Sequence, residues 1–358
     1  MTLVGALSKP FTSRSGPYRA LALQTRTDAV NALDDVQARG VMLASISRIG
    51  ENIAAANAFL GGDLELVVLP EYFLTGYPMG DSIPAWKQKA SLDPGGVEYE
   101  KLGHVAQKNS LYLSGNVYES DANFPELYFQ TSFIIDPSGD VALRYRRIHS
   151  LFSPSPWDVW DKYLDLYGIE SVFPVLKTEL GNLAAIASEE IQYPELARTF
   201  ALRGAEVFVH STSEIGAPTL TPKDIAKRAR ALENCAFVIS ANSGGIYGTS
   251  VPPNSTDGMS KILDHTGHVL AEAGFGESMV ANALVDIGAL RVARQRPGMG
   301  NLLARTKTQL WATEYARNDV DTPNGLIVNA AQKTPERSYF LNHHRDAIAL
   351  LIEKEIIA

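Results

Sequence analysis

Three apolar runs in this chain lead into a residue that is costly to bury without purpose. LELVVLP delivers Glu71, VALRYRR ends in Arg147 and LAAIA is followed by Ser188. Each run reads as a strand, and ligand chemistry in open α/β sheets gathers at the carboxyl ends of strands. By type, the three residues offer a proton acceptor, a permanent cation and a hydroxyl. Taken singly, each also fits a plainer use. A glutamate after proline can cap a helix, an arginine at a strand end can face water, and serine is common in turns.

The elements that would carry these residues alternate along the chain. Residues 20–24 (ALALQ) read as a short strand. Residues 42–60 carry Leu43, Ile46, Ile49, Ile53 and Ala56 at steps of three and four, which predicts an amphipathic helix. A strand at 64–69, a helix at 97–108 and a strand at 111–118 follow. Strands at 128–135 and 141–147 flank the turn Asp136-Pro137-Ser138-Gly139. An aromatic, proline-rich insertion fills 152–167. Beyond it come strands at 172–176, 183–187 and 207–210 and a helix at 194–203. The helix at 222–235 has Thr221 as its cap and Pro222 at its start. The strand 236–241, a hairpin around 264–267 and a strand near 279–285 complete the pattern. Alternating strands and helices indicate an α/β layered fold, and the hairpins make its sheets mixed. The expected divisions are a polar N-terminal segment over 1–18, one domain over 19–317 and a tail over 318–358. An apolar helix at 346–357 suggests that the tail docks on another subunit.

Composition excludes several classes. The 358 residues are 45% hydrophobic, enough for a sizeable core and too many for a disordered chain. A net charge of -8 argues against an electrostatic grip on nucleic acid or anionic lipid. The single cysteine, Cys235, rules out an internal disulfide and a multi-cysteine metal site, and core packing is its expected use. No apolar stretch reaches the roughly 18 residues of a membrane span, and no signal peptide is visible. A cytoplasmic location is the expectation. The histidines, His343 and His344 included, lack metal-ligand spacing, and no glycine-rich phosphate loop follows a strand. Neither a metal nor another cofactor is expected.

Four blocks in order resemble the nitrilase superfamily of carbon–nitrogen hydrolases. LELVVLPEYFLTGYP over 64–78 is similar to its glutamate motif, and RYRRIH over 144–149 to its lysine motif. IASEEIQYPELARTFALRGAEVFVHSTSE over 186–214 resembles its nucleophile block. RARALENCAFVISANSGG over 228–245 resembles the helix and strand that follow. The resemblance covers roughly 18–287. It implies a four-layer α-β-β-α sandwich with two mixed β-sheets, a homodimer or larger homo-oligomer, and a Glu–Lys–Cys triad. On the matching positions Glu71 is the base, Arg147 stands where lysine belongs and Ser188 where cysteine belongs. The backbone N–H of Glu189 would be an oxyanion donor.

The two departures change the chemistry. A serine hydroxyl needs a well-placed strong base during attack, whereas a thiol ionises readily. A carboxylate suits serine only where burial raises its pKa by several units. Arg147 can clamp an oxyanion but cannot donate a proton near neutral pH. The resemblance therefore implies hydrolysis of a small carboxamide through an acyl intermediate on Ser188. The alternative is a nitrilase-like pseudoenzyme that binds a small ligand or a protein without turnover. Tyr77 is a candidate for lining the pocket. Asp158 is the nearest acidic candidate for a second carboxylate, and with Trp157 and Trp160 it could form a lid or a surface loop pinned by aromatics. For Glu189 and Glu190 a solvated or salt-bridged side chain is the plainer use, as buried structural hydrogen bonding is for Glu233 and Asn234.

Overall fold

Leu66, Val67, Val68 and Leu69 are apolar in succession, and in a computed structural model of the chain they form a strand buried on both faces. Leu66 and Val68 join one core with Ala20 and Ala22 and with the strands of a second sheet. Val67 and Leu69 join another with Met42, Ile46, Ile49 and Ile53 of the long first helix. A strand with two apolar faces must lie between two layers, and that requirement sets the architecture. The structure describes residues 16–217, 219–329 and 331–358.

In chain order the first half comprises β1 (Tyr18–Ala22), β2 (Thr27–Asp28), α1 (Asp35–Leu60), β3 (Leu64–Glu71), α2 (Ile83–Ala90), α3 (Val97–Asn109), β4 (Tyr112–Ser120), β5 (Tyr128–Ile135) and β6 (Val141–Arg146). The second half adds α4 (Trp160–Tyr167), β7 (Leu176–Thr178), β8 (Gly181–Ala187), α5 (Pro194–Leu202), β9 (Val207–Ser211), α6 (Pro222–Asn234), β10 (Phe237–Ala241), β11 (Ile246–Tyr247), β12 (Lys261–Leu263), β13 (Val269–Glu272) and β14 (Asn282–Val285). After these come α7 (Ile287–Gln295), α8 (Leu302–Arg305), α9 (Thr308–Arg317), β15 (Ile327–Val328), β16 (Ala331–Gln332) and α10 (Arg337–Glu353).

One six-stranded sheet runs β14-β1-β3-β4-β5-β6 and the other β13-β12-β10-β9-β8-β7. Both are mixed. β1, β3 and β4 are parallel in the first, as are β8, β9 and β10 in the second, with antiparallel strands at the flanks. The sheets pack face to face. Helices α1 and α3 cover the outside of the first, α5 and α6 that of the second, giving the expected four-layer α-β-β-α sandwich. The parallel strands of the two sheets are tied where they end. Ser211 Oγ donates to the Leu69 carbonyl at 2.7 Å, and the Glu71 N–H donates to the Thr212 carbonyl at 3.2 Å.

Several boundaries moved. α1 begins at Asp35 because the Asp34 side chain accepts from the Gln37 N–H and caps it. Residues 172–175 are not a strand. A 3-10 turn at Ile169–Ser171 precedes the buried Val172, and pairing starts at Leu176. Thr221 caps α6 as expected, in a reciprocal capping box with Asp224. The final helix is Arg337–Glu353, earlier than the apolar run suggests. Parts of the expected tail pack on their own chain. The N–H groups of Asn324 and Leu326 donate to the carbonyls of Trp157 and Asp158, and Leu326 and Phe340 are buried. Of the expected N-terminal segment, residues 1–15 lie outside the described residues, and Tyr18 already opens β1. Among the described residues no helix is long and apolar enough to cross a membrane.

Candidate active site

Glu71 is the last residue of β3 and is almost wholly buried. A sharp turn follows at Tyr72, whose φ is 57°. Phe73 then packs over Gly115 of β4, where a Cβ would lie 2.8 Å from the Phe73 ring and 2.9 Å from that of Phe133. Glycine is required at that crossing. Glu71 Oε1 accepts from Gln130 Nε2 at 2.6 Å and from Arg147 Nη1 at 3.2 Å. Gln130 closes the triangle, its Oε1 accepting from Arg147 Nη1 at 2.7 Å.

Arg147 follows β6 directly. Its Nε donates to the His149 carbonyl at 2.6 Å and its Nη2 to the Glu189 carboxylate. Four of the five guanidinium N–H groups are thus engaged among the described residues. Burial opposes the charge, but Tyr72, Glu189, Glu71 and Glu190 outweigh it and hold the group above the ordinary arginine pKa. The turn that carries Arg147 is pinned by Glu190, which is fully buried. Glu190 accepts from the Tyr145 hydroxyl at 2.8 Å and from the N–H groups of Ile148 and His149 at 2.9 Å each. Burial and the Glu190 charge push the Tyr145 hydroxyl well up, so it remains a donor.

Ser188 comes immediately after β8 in a left-handed conformation, φ 48°. For a residue other than glycine this costs on the order of 1–3 kcal/mol and persists only where the surroundings enforce it. Three adjacent strands do so. The Ser188 carbonyl accepts from His210 Nε2 on β9 at 2.8 Å, and His210 Nδ1 lies 2.8 Å from Ser240 Oγ on β10. Burial, then the charge of Lys227, holds His210 well below its ordinary pKa of 6.5. The ring is therefore neutral. A carbonyl can only accept, so the ring N–H is on Nε2 and Nδ1 accepts from the Ser240 hydroxyl.

The Ser188 hydroxyl has a partner outside the three strand ends. Lys223 Nζ lies 3.0 Å from Ser188 Oγ and 3.2 Å from Thr212 Oγ1. Lys223 occupies the first turn of α6, just after the Thr221 cap and Pro222. That end of the helix is anchored below by Lys227, which pairs with Glu214 and Asp224. Burial lowers the pKa of Lys223, with Lys227 and Arg147 adding to the effect and Glu71 and Glu214 opposing it.

Glu71, Tyr77, Arg147, Ser188, Glu189 and Lys223 line one cavity of about 1100 Å³. Met79, Phe152, Arg337 and Phe340 also line it, and the Arg337 guanidinium lies 4.6 Å from the Phe152 ring centroid. The structure thus brings Tyr77 to the site but leaves Trp157 and Asp158 out of its lining. Asp158 closes a capping box with Ser155 and accepts from the Tyr339 hydroxyl at 2.8 Å, while the Trp157 carbonyl accepts from Asn324. They tie the C-terminal segment to the 3-10 turn that precedes α4. Cys235 is buried at the opposite end of α6, about 18 Å along the helix from Lys223. Burial also pushes its thiol up, against the opposing influence of Arg294. Asn234 donates to the Arg230 carbonyl, and Glu233 pairs with Arg230. Among the described residues no group of three or more His, Cys, Asp or Glu is arranged to hold a metal ion.

Gln130, His210, Thr212 and Lys223 were not singled out in the sequence. Gln130 left a trace, an amide inside the apolar strand YFQTSFII. Lys223 left none, since a lysine in the first turn of a polar helix reads as a solvated face.

The model of the carbon-nitrogen hydrolase family matches residues 36–295, most of the chain and every element that carries the site. The chain belongs to the carbon–nitrogen hydrolase family. Curated relatives include a probable nitrilase of Schizosaccharomyces pombe, 25% identical over 230 residues, 64% of this chain and 78% of that protein. A formamidase of Pseudomonas syringae pv. tomato is 27% identical over 271 residues, 75% of this chain and 74% of its own. Among solved structures, a carbon–nitrogen hydrolase of Helicobacter pylori G27 superposes with a TM-score of 0.64 at 19% identity, covering 84% of this chain and 98% of that one. That likeness establishes the fold of this carbon–nitrogen hydrolase.

Proposed function

We propose that this carbon–nitrogen hydrolase is an amidase that cleaves a small carboxamide through an acyl intermediate on Ser188. The observation that carries the reading is the meeting of Glu71, Arg147 and Ser188, from the ends of three strands in two sheets, around one cavity. Ser188 Oγ attacks the carbonyl carbon. The resulting oxyanion is held by the backbone N–H of Glu189 and by the remaining N–H of Arg147, whose charge is permanent. The C–N bond then breaks, the nitrogen takes up the proton that the Ser188 hydroxyl gave up and departs as ammonia or an amine, and water releases the acid with Glu71 as the base. Arg147 and Gln130 fix the Glu71 carboxylate, so its orientation does not depend on substrate. A formamidase among the relatives supports a short carboxamide over a nitrile, as does the difficulty of serine attack on a nitrile.

Ammonia release from a panel of small amides, N-carbamoyl compounds and nitriles tests the reading, with Ser188→Ala assayed beside the native protein. Release from short carboxamides that disappears in Ser188→Ala is the expected result. Release that survives the substitution, or silence across the panel, overturns it.

A further inference from the structure

The reading above leaves the serine without an adequate base for its own attack. Glu71 is tied to Arg147 and Gln130, and among the described residues its carboxylate makes no hydrogen bond to Ser188 Oγ. Arg147 has no lone pair to offer. The side chain within hydrogen-bond distance of Ser188 Oγ is Lys223, at 3.0 Å, and its other contact is the hydroxyl of Thr212. Among the described residues no carboxylate lies within ion-pair distance of Lys223, whereas its neighbour Lys227 has two. An ammonium whose direct contacts are two hydroxyls is poorly stabilised when it is taken out of water. An amine there is well placed to accept a proton.

We infer that Lys223 is a catalytic residue, the general base that takes the Ser188 proton during acylation and the general acid that returns it to the leaving nitrogen. The inference rests on the amidase reading and divides its chemistry between two flanks of the cavity. As the Oγ–C bond forms, the hydroxyl proton passes to the Lys223 amine and the carbonyl π electrons move onto oxygen. As the oxyanion collapses, the C–N bond breaks with its electrons going to nitrogen. Nitrogen collects the proton from the Lys223 ammonium and leaves as ammonia or an amine. The lysine ends neutral, and no further reactant enters. Glu71 is then reserved for the water that cleaves the ester. Lowering of the Lys223 pKa by burial agrees with this role. The charged groups facing it are Glu71 at the end of β3, Arg147 after β6, Glu214 after β9 and Lys227 on α6.

The experiment follows acylation by p-nitrophenyl acetate in the full-length protein, reading the burst of nitrophenol and the acetyl adduct by intact mass. This probe acylates a competent serine whatever the natural amide is. Wild type, Ser188→Ala, Lys223→Met and Lys223→Arg are compared across pH, with thermal unfolding recorded for each. The wild-type acylation rate is expected to rise with pH through an ionisation below the ordinary lysine value of 10.5. Both lysine variants are expected to acylate at least about 100-fold more slowly and to lose that rise. Lys223→Arg keeps the charge and the helix turn, so its inactivity separates proton transfer from electrostatics. Acylation at the wild-type rate in Lys223→Arg, or a pH rise that survives in Lys223→Met, overturns the role of Lys223 and leaves the amidase reading standing. A wild-type protein that forms no Ser188-dependent adduct overturns both.

Discussion

The two flanks of the cavity each place a cation beside a reactive group, but they treat it in opposite ways. On the first sheet, Arg147 is surrounded by acceptors, with the Glu71 and Glu189 carboxylates, Gln130 and the His149 carbonyl all on one guanidinium. On the second, the hydrogen bonds of Lys223 among the described residues are to the hydroxyls of Ser188 and Thr212. Surrounding anions deepen the protonated state of the arginine, while burial weakens that of the lysine. One flank is therefore a fixed electrostatic frame, and the other holds the lysine proposed to move a proton. Two cations in one site can do different work because charge state follows the acceptors supplied, not the residue's formal sign.

The contrast can be broken most directly at Ser188, the proposed nucleophile. Ser188→Ala should lower amide hydrolysis by at least about 1000-fold, measured as ammonia release, while changing unfolding free energy by about 1 kcal/mol or less in urea titration. On the frame side, stability should respond strongly. Arg147→Met strands the buried Glu71 carboxylate, and a loss of about 3–5 kcal/mol is expected. Arg147→Lys should recover part of it, since a lysine restores the charge but not the fork that spans Gln130, Glu71 and Glu189. Equal stability of Arg147→Met and wild type would show that the frame is not held by this ion pair.

His210 sharpens the comparison through pH. Its folded pKa lies below the unfolded value of 6.5, so the unfolded chain binds more protons as pH falls. Stability is then undiminished above 6.5 and declines below it, by up to about 1.4 kcal/mol per pH unit. Urea midpoints across this range should show the decline, and His210→Gln should remove this contribution. The smallest effect belongs to a site outside both flanks. Tyr339→Phe deletes the hydrogen bond to Asp158 and should cost about 1 kcal/mol. Ammonia release should be unchanged, and a loss of activity would return Asp158 to the chemistry.

Much of the fold is legible in the sequence. The α1 periodicity, the hairpins flanking Asp136-Pro137-Ser138-Gly139 and Asp264–Gly267, and the Thr221 cap are local features written within a few residues of chain. Glu71 and Arg147 were legible because an apolar run ending in a charge is unusual wherever it occurs, and Ser188 through the block of residues that surrounds it. Trp157 and Asp158 left two readings open because an aromatic, acidic loop looks the same whether it covers a pocket or seats a C-terminal segment. That choice depends on Tyr339 and Asn324, more than 160 residues away, and no local pattern reports it.

By itself, then, the sequence determined the layers and the residues at the ends of β3, β6 and β8, since burial and periodicity act along the chain. Only the tertiary structure decided which cation meets which acceptor. Arg147 finds Glu71 across 76 positions and Lys223 finds Ser188 across 35. A hydrogen bond needs its two atoms within about 3 Å, and that proximity comes from packing two sheets and starting α6 at Thr221, not from any spacing in the sequence.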